Sequence, residues 1–267
     1  MGMMLASGVF AISIDLELDP DRRGLDQTRS LEDVAGRLIS LLTKYQIPAT
    51  WAVADPAVSA ATDRLVSAGA GHEIAVLGDQ SWVGREAGRS RFSRELTRRV
   101  SRGRSAGLTI STLVLRNVVL DDHLDLVVKE GISAVRSDYA GSTGSGLLRR
   151  RAVAEPRSLR FGLWDLPAAT RLPGESRWLP SGGGARSARR GIDRAIATRA
   201  VYQLMIDGLL LAVRSPSALR LLERVLRHVD QRRQQGTLTV ATLAGTAALL
   251  AGNRQGTPSH SILRPAA

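Results

Sequence analysis

Apolar residues in this chain come in short buried-type runs separated by longer stretches of helical spacing. The first run, "VFAISID" (9–15), is β-prone and reads as strand 1. "SLEDVAGRLISLLTKYQ" (30–46) places apolar residues at helical intervals behind a serine cap, with Asp33 three residues on. "IPATWAVAD" (47–55) follows as a second buried strand, with Pro48 at its start. Residues 56–71 form a helix with a proline near the first turn and glycines at the end.

The alternation continues. "HEIAVL" (72–77) reads as strand 3, residues 90–105 as a basic amphipathic helix, and "STLVLRN" (111–117) as strand 4. "DDHLDLVVKEG" (121–131) is a helix and "ISAVRSD" (132–138) is strand 5. Buried strands alternating with helices predict a parallel sheet or barrel of the α/β class. Function then belongs at the C-terminal ends of the strands. Those ends carry Asp15 and Glu17, Asp55, Leu77 with Asp79, Arg116, and Arg136.

The middle of the chain is less regular. Residues 140–157 read as an exposed loop, and "FGLWDLPAATRLP" (161–173) as a strand with a proline-marked turn. "PSGGGARSARRG" (180–191) is expected to be a loop. It has no Gly-Lys-Ser/Thr ending and no strand close before it, so it is not a phosphate loop. Residues 215–236 form an amphipathic helix, and "TLTVATLAGTAALLAG" gives a short strand or turn and a last helix. The expectation is one domain over residues 1–252 with a polar tail at 253–267.

Composition adds limits. The chain of 267 residues lacks cysteine, so disulfide and thiolate chemistry are excluded. Its charge is +12, and all but Lys44 and Lys129 of the 37 basic residues are arginine. Composition bias is the first explanation, with a polyanion partner as the functional one. The Arg-rich segments 85–104, 149–160 and 186–199 supply the patches. Aromatics at 4% and the lack of a stacking motif argue against nucleic acid. The N-terminus has no basic n-region, and no run reaches the length of a membrane span, so a cytoplasmic protein is the default.

"GHEIAVLGDQSW" (71–82) brings in candidate chemistry. With "SIDLELD", "PATWAV", "TLVLRN", "KEGISAVRS", "GLWDLPAATRLP" and "YQLMID" in order, it resembles the NodB-type polysaccharide deacetylases, carbohydrate esterase family 4. The resemblance implies a distorted (β/α) barrel. It also implies hydrolysis of N-acetyl or ester groups on a glycan, with a divalent metal, usually zinc. In those terms Asp15 stands at the catalytic base, Glu17 at the acidic metal ligand, and Arg116 at the arginine that pairs with and orients Asp15. The two ligand histidines fall on Leu77 and Ser81, and the late acid on Asp207, near Gln203. Trp82, Arg136 and Asp79 are the candidate substrate contacts.

Leucine cannot coordinate a metal and serine is a poor zinc ligand. The four histidines present, His72, His123, His228 and His260, stand elsewhere; His72 is expected to pack or hydrogen-bond at a strand start. The first expectation is therefore a degenerate deacetylase-like protein without a metal cofactor, binding an acetylated glycan or an enzyme partner. The alternatives are an active hydrolase with a rebuilt acidic site and a basic polyanion-binding protein.

Overall fold

A computed structural model of the chain describes residues 5–16, 25–57, 60–68, 71–118, 120, 123–137, 155–173, 182–213 and 215–255. Strand β1 (Gly8–Asp15) is buried at every position and stands at the centre of the sheet. Along one edge it pairs with β9 (Val201–Asp207). The other edge is divided. Gly8–Ala11 pair with β10 (Leu238–Ala241), and Ser13–Asp15 pair with β2 (Thr50–Val53). Outward from β2 follow β3 (Glu73–Gly78), β4 (Thr112–Leu115), β5 (Ala134–Arg136) and β7 (Trp164–Asp165), while β8 (Thr170–Leu172) lies beyond β9. These neighbours are all parallel; the short β6 (Arg157–Ser158) joins β7 antiparallel at the edge.

A parallel sheet needs cover on both faces, and here the two covers differ. The convex face packs against α1 (Leu25–Lys44), α2 (Ala60–Ala68), α3 (Gly88–Ser105), α4 (Leu124–Lys129), α5 (Gly182–Thr198), α6 (Gly208–Val213) and α7 (Ser215–Gln234). The concave face receives a single helix, α8 (Leu243–Gln255). Its Leu243, Ala247 and Leu250 pack with Ala11, Ala52, Ala75 and Ala134. Alanine at these inward positions leaves room for a helix inside the curl. Two strand-alternating cores result, one on each side of the sheet.

The curl is measurable from one interaction. β1 and β5 are four ladder steps apart, roughly 19 Å in a flat sheet at the usual strand spacing. Arg136 at the end of β5 nevertheless reaches Asp15 at the end of β1 at 2.8 Å. The sheet is therefore rolled into a half-barrel, in line with the distorted barrel that the resemblance implies.

Several boundaries differ from those read in the sequence. The first helix begins at Leu25, before the serine read as its cap. The segment 180–191 is not a loop: α5 starts at Gly182 and runs to Thr198. Its buried face is Ala185, Ala188, Ile192 and Ala195, at helical spacing but mostly alanine. So weak an apolar signal is hidden behind three glycines. The strand and proline-marked turn read at 161–173 resolve into two short strands, β7 and β8. α8 continues through Gln255, into the stretch read as tail, and residues 256–267 lie outside those described. Most of the loop read at 140–157 does too. No helix among the described residues is long and apolar enough to cross a membrane.

Candidate functional site

The C-terminal end of β1 holds a buried ion pair. Asp15 is 3% exposed and Arg136 is fully buried. The guanidinium meets the carboxylate two-pronged, Nη1 to Oδ1 and Nη2 to Oδ2, both at 2.8 Å. Arg136 Nη1 also donates to Ser13 Oγ at 2.8 Å, and Gln203 Nε2 reaches the same hydroxyl at 2.7 Å. Strand alternation aims Ser13 and Asp15 to one face, and the ladder sets β9 beside them. Arg136 Nε and Gln203 Oε1 have no partner among the described residues.

Beside this pair, Asp207 lies opposite Asp15 in the β1–β9 ladder. One of its oxygens accepts from Arg171 of β8, and the other accepts the Leu210 N–H at 2.8 Å, capping α6. Gly208 follows because the chain passes β1 closely: a Cβ there would sit 2.5 Å from the Asp15 carbonyl oxygen.

Across the rim, Asp79 closes a side-chain turn after β3. Its Oδ1 accepts the Ser81 N–H at 2.8 Å and the Ser81 hydroxyl at 2.5 Å. Trp82 then turns inward. It is 1% exposed, stacks on Phe92 of α3 at 5.7 Å, and lies under the Arg99 guanidinium at 4.6 Å. Arg99 also donates to the Ala54 carbonyl at 2.8 Å, tying α3 to the loop that follows β2.

These placements correct three expectations. Asp15 is held by Arg136 at the end of β5, where the sequence pointed to Arg116 at the end of β4. Arg136 is sealed against its carboxylate, and Trp82 is sealed in the core, so neither is presented as a substrate contact. Asp79, Arg116 and Asp207 stay partly open at the rim. Glu17 lies outside the described residues.

Among the described residues, the positions that the resemblance gives to metal ligands do not fit a divalent cation. Leu77 faces inward among Ala75 and Val114 and offers no donor atom. The Ser81 hydroxyl is given to Asp79, and both Asp15 oxygens are given to Arg136. Zinc and magnesium need several free nitrogen, sulfur or oxygen donors converging on one point. Among the described residues no three histidine, aspartate or glutamate side chains converge in that way.

The Gly-His-Glu sequence is explained at the opposite end of its strand. His72 Nδ1 accepts the Ala49 N–H at 3.1 Å, and its ring stands edge-on to Trp51 at 5.7 Å. It hydrogen-bonds at a strand start, as its place in the sequence suggests. Burial holds this imidazole below its ordinary value of 6.5. The unfolded chain therefore takes up a proton near pH 6.5 that the folded chain refuses. Stability is full above that pH and falls as pH drops from 6.5 toward the lower folded value, by at most about 1.4 kcal/mol per pH unit. Urea titrations of His72→Gln between pH 7.5 and 5 are expected to show a shallower decline than the parent; an unchanged slope assigns the acid sensitivity elsewhere.

No family model matches the chain, and no curated protein sequence matches it significantly. Solved structures do match. A Mycobacterium smegmatis protein assigned as a polysaccharide deacetylase shares the fold over 100% of both chains, with a TM-score of 0.68 and 17% identity. A Pseudomonas aeruginosa protein assigned as a polysaccharide deacetylase covers 90% of each chain, at 0.61 and 13%. A family 4 carbohydrate esterase from Bacillus anthracis matches 93% of this chain and 87% of its own, at 0.52 and 12%. The chain has the NodB-type polysaccharide deacetylase fold. At these identities the likeness establishes the scaffold, and the chemistry has to come from the site.

Proposed function

We propose that the protein uses a polysaccharide deacetylase scaffold to bind carbohydrate without metal-dependent deacetylation. One observation carries this reading: the strand-end acid at the family's base position, Asp15, is locked two-pronged to the buried Arg136. A general base must lie within hydrogen-bond reach of the proton it removes. Asp15 instead has both oxygens occupied and almost no surface open to a ligand. A metal hydrolase also needs a Lewis acid to polarise the acyl oxygen and activate water. Leu77 and Ser81 cannot supply its ligands. What the rim does offer is a set of partly exposed polar side chains, Asp79, Arg116, Arg171 and Asp207, suited to the hydroxyl and amide groups of a sugar.

The test is acetate release from acetylated sugar oligomers with zinc, cobalt or magnesium added, beside a Glu17→Ala control. No release above that control is expected with any metal. Metal-dependent release that the substitution abolishes would place a working site at Glu17 and overturn the proposal. Retention of the same oligomers on immobilised protein, weakened by Asp207→Asn, is the binding half of the expectation.

A further inference from the structure

Arginine is abundant throughout this chain, but it is not spent equally. α3 carries seven arginines against one acid. Most of these cations are used internally: Arg89 pairs with Asp125, Arg98 and Arg99 with Glu95, and Arg102 with Asp55. α5 and α7 together carry nine arginines against three acids. Here the acids are committed to holding the helices in place. Asp193 of α5 receives Arg232 Nη2 at 2.9 Å and faces His228 Nε2 at 3.0 Å, both from α7. Glu223 takes Lys44 at 2.7 Å, and Asp230 takes Arg233 at 2.6 Å.

The outward arginines are left over. Arg186, Arg190 and Arg194 recur every fourth residue on α5, opposite its buried alanine face. Arg220, Arg224 and Arg227 recur at the same kind of spacing on α7, opposite Leu222, Val225, Leu226 and Val229. All six are exposed. Arg227 is 4.0 Å from Glu223, and the other five meet no acid among the described residues. Each of these two helices leads into a strand parallel to β1, so they descend side by side. Packed helices stand about 8–10 Å apart. Each stripe runs roughly 10–12 Å along its axis at the usual rise. The result is a platform of guanidinium groups on two helices joined by the Asp193 clamp. Composition bias accounts for the number of arginines. It does not account for the two outward stripes, where five of the six arginines meet no acid among the described residues.

We infer that the α5–α7 face is a docking surface for an acidic polysaccharide, a glycan bearing carboxylate groups. The inference deepens the glycan-binding reading above, on which it rests for the class of partner. Guanidinium groups engage carboxylates two-pronged, which favours such a polymer over a neutral one. Three features disfavour other polyanions. Neither helix carries a tyrosine, phenylalanine or tryptophan to stack a base. Two helices side by side are too wide for a major groove that admits one. The exposed large apolar residues among those described, Val66, Phe161, Val213 and Leu249, belong to neither helix, so the two helices offer no anchor for a bilayer.

The experiment compares binding of the full chain to polygalacturonate and to the same polymer methyl-esterified. Arg190→Glu/Arg224→Glu is set against Arg91→Glu/Arg94→Glu, two exposed arginines on α3 with an equal change in net charge. The expected result is binding to the acid polymer alone, weakening steeply with salt. The α5–α7 variant should lose on the order of 30-fold and the α3 variant less than about 3-fold. Equal losses in both variants reduce the effect to net charge and overturn the inference. So does tighter binding to a DNA duplex or to phosphatidylserine vesicles with the same dependence on the α5–α7 arginines. No binding to either polymer overturns the platform as well, while the rim is judged separately by acetate release. Binding of the esterified polymer, indifferent to the substitutions, overturns the platform and leaves the rim reading standing.

Discussion

Arg136→Met is expected to lower the stability of the protein by about 3–5 kcal/mol, because it strands a carboxylate in the interior. Asp15 is 3% exposed, and its two oxygens have Arg136 as their side-chain partner, at 2.8 Å each. Removing the cation leaves that charge with no water to replace it. For a chain of this size the loss corresponds to a melting temperature lower by roughly 6–20 °C. Asp15→Leu leaves the opposite charge unpaired and should cost a similar amount. The double variant Asp15→Leu/Arg136→Met is the informative one. It removes both charges, and buried ion pairs replaced by apolar groups are often nearly neutral. The cycle should therefore show a coupling of at least about 2 kcal/mol. A single Arg136→Met variant within about 1 kcal/mol of the parent would falsify the locked pair, and with it the reason given for the absence of a catalytic base.

The same pair shows where sequence reading stops. Asp15 is legible as a site residue because it ends a buried strand, and alternation places it on one face with Ser13. Its partner is not legible in that way. Arg136 is 121 residues away, and the contact exists only because the sheet curls. Arg116 and Arg136 both end strands, and no local signal separates them. Trp82 presents a similar limit: a tryptophan after a strand-end turn suits a sugar platform, yet Phe92 and Arg99 arrive from α3 to enclose it. The parallel α/β class was readable because buried runs and amphipathic stretches alternate. α5 was not, because alanine contrasts weakly with its surroundings and the three glycines that open it are turn-formers. The misfit at Leu77 needed no structure to find, since its lack of a donor atom is a property of the side chain.

Glu73→Ala is the second large effect expected, and it acts at the far end of the barrel. Glu73 is 9% exposed and has no basic partner among the described residues. Its Oε2 accepts Thr50 Oγ1 at 2.8 Å and the Ala244 N–H at 3.1 Å. Its Oε1 accepts the Thr112 hydroxyl and, at 3.4 Å, that of Ser111. The first four N–H groups of α8 are all satisfied by this region. Leu243 donates to Thr50 Oγ1, Ala244 to Glu73, Gly245 to Thr242 Oγ1, and Thr246 to the Thr242 carbonyl. The carboxylate also sits where the helix dipole favours negative charge. Alanine at 73 leaves buried donors unpaired, at about 1–3 kcal/mol each, so a loss of roughly 2–4 kcal/mol is expected after relaxation. Because α8 fills the concave face, its amides should exchange with deuterium faster than those of β1. Glu73→Gln separates the causes. Its amide oxygen can still receive the Ala244 N–H, and the Thr112 hydroxyl can turn to accept from its NH2 group. The glutamine variant should therefore keep most of the stability, losing about 1 kcal/mol or less with the charge. If glutamine is as damaging as alanine, the negative charge matters more than the acceptors. If alanine leaves α8 exchange unchanged, the Glu in Gly-His-Glu is not the latch that holds this helix inside the sheet.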